Sequence, residues 1–144
     1  MNKKILTGII LASLTLTPLA GCASTSGTTP QETVVTFESG ASYKQISSDT
    51  AAKLMETEKD HVILDVRTAE EYADGHIPKA VNIANEIISE ETTKDLLKDK
   101  DQLILVYCRS GRRSKEASEK LVKLGYTNIV EFGGINTWDG ELVQ

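Results

Sequence analysis

The chain is expected to be an α/β protein, one domain built on a mainly parallel sheet with helices on both faces. Two runs, Val62-Ile63-Leu64-Asp65-Val66 and Leu103-Ile104-Leu105-Val106-Tyr107, are nearly continuous apolar stretches rich in β-branched residues, the pattern of strands covered on both sides. Helical periodicity alternates with such runs along the chain, and alternation of this kind favours parallel pairing through crossover connections. The 144 residues hold neither an internal repeat nor a second set of core segments, so one modest core is expected.

The N-terminus is set apart from this pattern. Lys3 and Lys4 precede an almost uncharged apolar run from Ile5 to Leu19, and small residues Ala20 and Gly21 follow. That order reads as a signal peptide over 1–21, and the run is shorter than the roughly 20 residues a spanning helix needs. The quartet Leu19-Ala20-Gly21-Cys22 resembles the lipobox of bacterial lipoproteins. The resemblance implies lipidation of Cys22 and an extracytoplasmic domain anchored to the membrane by acyl chains. From Ala23 to Ser39 the chain is rich in Ser, Thr and Gly and carries Pro30, so residues 22–41 are expected to be a flexible tether and 42–144 the folded domain.

Within the domain, Tyr43–Ile46 reads as the first strand and Ser48–Thr57 as the first helix. The strand Val62–Val66 follows. Thr68 with Glu71 three residues later forms a capping box that starts a short helix through Tyr72. Ala80–Ile83 is a third strand candidate, Glu90–Leu97 a helix, and Leu103–Tyr107 the second apolar strand. In Arg113–Leu124 the residues Ala117, Leu121 and Leu124 make one apolar stripe, and Gly125 is placed to end that helix in the left-handed region. Ile129–Phe132 is the last strand, which makes five.

Charge and cysteine count narrow the function. The formal net charge is −5, and loss of residues 1–21 removes two lysines and no acid, giving −7. Nucleic-acid binding needs clustered cations that release counterions, so no nucleic-acid partner is expected. The one dense basic run is Arg109, Arg112, Arg113 and Lys115. Of the two cysteines, one is the proposed lipid site, which leaves Cys108 without an intramolecular partner. A lone thiol in an oxidising compartment is either a buried inert side chain or a reactive one.

Its position favours reactivity. Cys108 follows the apolar strand and precedes the long helix, on a strand-to-helix turn at the carboxyl end of a parallel sheet, where ligands gather. Such a turn aims successive N–H groups inward, and the helix start adds partial positive charge. Both stabilise a thiolate, as do nearby arginines. His61 and His76 are far apart in sequence and give no metal-ligand spacing with one cysteine.

The loop Cys108-Arg109-Ser110-Gly111-Arg112-Arg113 resembles the six-residue active-site loop of rhodanese sulfurtransferases, with cysteine first, glycine fourth and arginine sixth. Three more segments match that family in order: Leu64-Asp65-Val66-Arg67 with Glu70-Glu71-Tyr72, Gly75-His76-Ile77-Pro78, and Gly133-Gly134-Ile135 with Trp138. The resemblance implies a five-stranded parallel sheet, no metal or organic cofactor, and transfer of a sulfane sulfur through a persulfide on Cys108. It also implies a small anionic sulfur donor and a thiol, protein thiol or cyanide acceptor.

On this reading Cys108 is the nucleophile and the N–H groups of Arg109 through Arg113 hold its charge. Gly111 lets the loop curl, and Arg109 and Arg112 are candidates for binding the donor, with Ser110 in the same loop. Arg113 either pairs with Asp65 to brace the loop or is solvated. Asp65 and Arg67 are expected to form a supporting network. Ser110 stands where thiosulfate-using members often carry a basic residue, so the donor is open between thiosulfate and mercaptopyruvate. A phosphatase of the same fold needs an arginine six positions after the cysteine, where this chain has Ser114. The same loop also admits an arsenate-reducing variant of the family, or a non-catalytic persulfide relay or binding module.

Overall fold

The computed structural model describes residues 31–144; the readings of residues 1–21 as a signal peptide and of Cys22 as a lipid site fall outside them. Ten elements follow in chain order: strand β1 (Thr33–Thr36), β2 (Ser42–Gln45), helix α1 (Ser48–Thr57), β3 (His61–Asp65), α2 (Ala69–Asp74), β4 (Val81–Asn82), α3 (Glu90–Thr93), β5 (Leu103–Cys108), α4 (Arg112–Lys123) and β6 (Ile129–Gly134). The sheet order is β1-β2-β6-β5-β3-β4. The five expected strands are all present and mutually parallel.

The sixth strand is a correction. Thr33–Thr36 lies in the segment expected to be tether, yet it pairs antiparallel with β2, Val34 opposite Lys44 and Val35 opposite Tyr43. Four β-favouring residues turn back through Gly40, whose φ is +82°, and add an edge strand to a sheet that β2 alone would leave open.

Side chains alternate across β5. Ile104, Val106 and Cys108 face a layer with Leu64, Ala117, Leu121 and Ile129, on the side of α4. Leu105 and Tyr107 face the opposite layer with Ala51, Ile63, Val130 and Phe132, on the side of α1. Both faces of the central strand are thereby covered, which is why its sequence shows no polar alternation.

Boundaries follow their local chemistry. At α2 the Thr68 oxygen accepts from the Glu71 N–H at 3.3 Å and the Glu71 carboxylate accepts from the Thr68 N–H at 3.2 Å, completing the capping box. At the end of α4, Gly125 (φ +88°) donates to Val122 O and Tyr126 to Leu121 O, a Schellman closure. The helix expected over Glu90–Leu97 is shorter: four residues of α3, then turns in which the Leu97 N–H reaches Thr93 O. No helix among the described residues is long and apolar enough to cross a membrane.

At the carboxyl end of β3, Asp65 is fully buried and accepts from the Arg67 side chain through Nε, shared between both oxygens at 3.0 Å, and through Nη2 at 2.6 Å, with one more bond from the Arg67 N–H, while Arg67 also donates to Gly75 O at 2.7 Å. This is the supporting network expected of the pair. It ties the end of β3 to the turn after α2. Removing one partner of a buried ion pair strands the other charge, so Arg67→Met is expected to lower stability by about 3–5 kcal/mol, measured by urea unfolding of the described domain.

Candidate active site

Cys108 is the last residue of β5, and only 1 % of its surface is exposed. The chain then turns through Arg109 and Ser110 to Gly111, whose φ of +104° is closed to most side chains. This brings the Gly111 N–H to 3.0 Å from the Cys108 sulfur. Helix α4 begins at once with no side-chain cap, and the N–H groups of its first turn have no helical partners. Burial raises the Cys108 pKa, but the Ser114 hydroxyl and the N–H groups of Ser114, Gly111 and Ser110 outweigh it and hold the thiol below its usual range.

The loop can take this shape because of what β6 lacks. Gly134 stands opposite Cys108 across a bulge in the β5–β6 pairing, and a Cβ there would lie 2.1 Å from the Arg109 carbonyl oxygen and 2.5 Å from the Ser110 nitrogen. Backbone meets backbone, so no side chain fits. The Asn136 N–H then holds Arg109 O at 3.2 Å.

The arginines divide their work. Arg109 is exposed and lines, with Arg67, Asn136 and Leu142, a groove of about 510 Å³. Arg112 is also exposed and pairs with Glu116 one turn on at 2.6 Å. Arg113 does not meet Asp65, which Arg67 already occupies. It makes a two-pronged pair with Glu71 at 2.7 and 2.9 Å, joining α4 to α2 beside the site. The Arg113 hydrogen bonds hold the Glu71 carboxyl well below its ordinary 4.5, at about 2. Ser110 is exposed and offers only its backbone N–H to the sulfur.

Two residues beside the sulfur escaped the sequence reading. The Ser114 hydroxyl, completely buried, lies 3.5 Å from the Cys108 sulfur and 2.6 Å from the carboxylate of Glu131, itself 2 % exposed. The detectable signal was a lone acid in the apolar run Ile129–Phe132, two residues from Ile129 and so on the same buried face of the strand. The histidines stay apart from the sulfur chemistry: the His61 ring bonds Glu58 O, and His76 stacks on Tyr72 with centroids 3.7 Å apart. No cluster of three metal-ligating side chains occurs among the described residues.

A strand-ending cysteine circled by loop N–H groups, with two glycines of β6 beneath it, agrees with the comparison of sequences. Residues 47–141 match the family described as the rhodanese-like domain. The chain belongs to the rhodanese-like family. A putative sulfurtransferase, YtwF, of Bacillus subtilis is 36% identical over 98 residues, covering 68% of this chain and 92% of that protein. The thiosulfate sulfurtransferase GlpE of Coxiella burnetii is 35% identical over 97 residues, 67% of this chain and 87% of its own. Among solved structures, a rhodanese from E. coli determined with anions superposes with a TM-score of 0.54 at 32% identity, covering 58% of this chain and 98% of that one. A rhodanese-like domain protein of Staphylococcus aureus gives 0.56 at 32%, with 69% and 95% covered.

In this rhodanese-like domain the Glu71–Arg113 pair makes stability depend on pH. The folded carboxyl has the lower pKa, so the pair stabilises the fold above about pH 5 and that contribution is lost as pH falls toward 2. With both side chains partly solvated, it should amount to on the order of 1–2 kcal/mol. Glu71→Gln is expected to flatten the decline in urea midpoint across that interval; equal slopes for the two proteins would rule the contribution out.

Proposed function

We propose that the chain is a sulfurtransferase of the rhodanese type that moves a sulfane sulfur from a donor such as thiosulfate to a thiol, a protein thiol or cyanide, through a persulfide on Cys108. The observation that carries this is the cradle: one buried sulfur met by the Gly111 N–H at 3.0 Å and the Ser114 hydroxyl at 3.5 Å, its thiol pKa lowered by these and by the backbone of Ser110 and Ser114. In the first half-reaction the thiolate attacks the outer sulfur of thiosulfate, the new S–S bond forms as the old one breaks, and sulfite leaves with the bonding pair. The outer persulfide sulfur then carries the negative charge, which the ring of N–H donors and the start of α4 stabilise. In the second, the acceptor attacks that outer sulfur and the Cys108 thiolate is released. Arg109, exposed at the groove, is suited to the sulfonate end of the donor.

Supporting this are the sulfurtransferase names of the relatives in Bacillus and Coxiella. The six-residue loop suits a single sulfur atom better than a phosphoryl group, and the position a phosphatase would give to arginine holds the buried Ser114 hydroxyl. The intact mass of the domain should rise by one sulfur atom on incubation with thiosulfate and fall back on adding cyanide, with thiocyanate released. Cys108→Ser should show neither change. Absence of a gain with both thiosulfate and mercaptopyruvate, alongside hydrolysis of an aryl phosphate, would replace this reading with the phosphatase one; silence in every assay would leave a binding module.

We further propose that the domain works outside the cytoplasm, held to a membrane by acyl chains on Cys22, on the strength of the Leu19-Ala20-Gly21-Cys22 quartet behind its apolar run. Bacterial cells expressing the full chain should incorporate labelled palmitate into it, and Cys22→Ala should abolish the label. Equal labelling of both would reject the anchor.

A further inference from the structure

Glu131 takes no part in the two half-reactions, yet it sits behind the nucleophile. It is a carboxylate 2 % exposed, and among the described residues no Lys, Arg or His forms an ion pair with it. A buried charge without a counter-ion is costly and is commonly relieved by taking up a proton. Its hydrogen-bond donors are the Gly133 N–H at 2.8 Å and the Ser114 hydroxyl at 2.6 Å. That hydroxyl has one hydrogen and several neighbours: Glu131, Gly111 O at 3.0 Å, Gly133 O at 3.2 Å and the Cys108 sulfur at 3.5 Å. With the hydrogen on the short bond to Glu131, Ser114 is left to accept from the Cys108 S–H.

We propose that Cys108 and Glu131 share one proton through Ser114, so that the buried site carries a single negative charge divided between sulfur and carboxyl. The S–H bond breaks as its proton moves to Ser114 Oγ, and the Ser114 O–H bond breaks as its own proton moves to Glu131 Oε1. The Ser114 hydroxyl then donates to the thiolate and the Glu131 acid donates to Ser114. Net charge is unchanged and no proton leaves the protein. Glu131 is therefore a positioning residue that acts through Ser114, and the attacking thiolate meets its anionic donor with no second full charge behind it. Full negative charges on two groups joined through one buried hydroxyl would repel each other.

The other charged and titratable groups around the pair leave it intact. Tyr43 of β2 faces Glu131 and Glu119 with a phenol whose pKa is raised, by burial first. Lys115 of α4 opens on the same cleft of about 330 Å³ as Glu131 without forming an ion pair with it. Arg113 faces the sulfur but is held by Glu71 of α2.

The shared proton rests on Cys108 being the nucleophile of the proposed transfer, and alkylation tests it without any sulfur donor. The rate of Cys108 modification by iodoacetamide should rise with pH in two steps more than about one unit apart. Glu131→Gln should collapse them into a single step below the upper one of the unaltered protein, and Ser114→Ala into a single step above that of Glu131→Gln. One step in the unaltered protein, superimposable on that of Glu131→Gln, would overturn the proposal, whatever the sulfur-transfer assays give. Should either variant fail to fold, infrared spectra of the unaltered protein and Cys108→Ser decide. A buried carboxylic acid band that persists in the unaltered protein through the first thiolate step and is lost with the second, but is lost at lower pH in Cys108→Ser, supports sharing; identical carboxyl spectra reject it.

Discussion

The contact between the Gly111 N–H and the Cys108 sulfur, 3.0 Å long, requires a chain that reverses within three residues of a buried strand end. Gly111 supplies the backbone angle, but an angle alone does not leave room. The room comes from Gly134, against which the Arg109 carbonyl is pressed so closely that a methyl group would overlap it. Strand β6 inserts an extra residue relative to β5 just before this point, and the resulting bulge sets Gly134 opposite the cysteine. Gly134 is thus part of the loop's construction although it lies on another strand.

With the loop fixed in this way, its electrostatics follow from where the helix begins. An ordinary N-cap side chain at the start of α4 would compete for the free N–H groups. A glycine in the left-handed region offers no such side chain, and the sulfur takes the place of the cap. The cations are engaged elsewhere: Arg112 and Arg113 pair with Glu116 and Glu71, and Arg109 stands at the groove. A thiolate there is stabilised by aligned dipoles, which would remain fixed if the charge moved outward to the persulfide sulfur of the proposed transfer.

Much of this was legible in the sequence because local signals and family motifs pointed the same way. The Thr68–Glu71 capping box, Gly125 at the end of α4 and the two apolar strands are decided by neighbouring residues, and the structure has them where they were expected. What was not legible depends on long-range pairing. Thr33–Thr36 is a strand because β2 offers it an edge, and its Ser- and Gly-rich surroundings resemble a tether. Arg113 chose Glu71 because Asp65 was already taken by Arg67, a competition that sequence spacing does not rank. Ser114 and Glu131 lie on different elements and meet only once α4 packs on β6.

That last meeting also bears on which anion the site suits. A phosphoryl group held by the loop would place several charged oxygens against the N–H ring, with Ser114 and the Glu131 carboxyl directly behind it. The arginine that would offset those charges is absent from that position. In the proposed transfer a sulfur atom would bring at most one charge into the ring, with the rest of the donor left at the groove beside Arg109. The buried Glu131 side chain lies one hydroxyl away from the thiol.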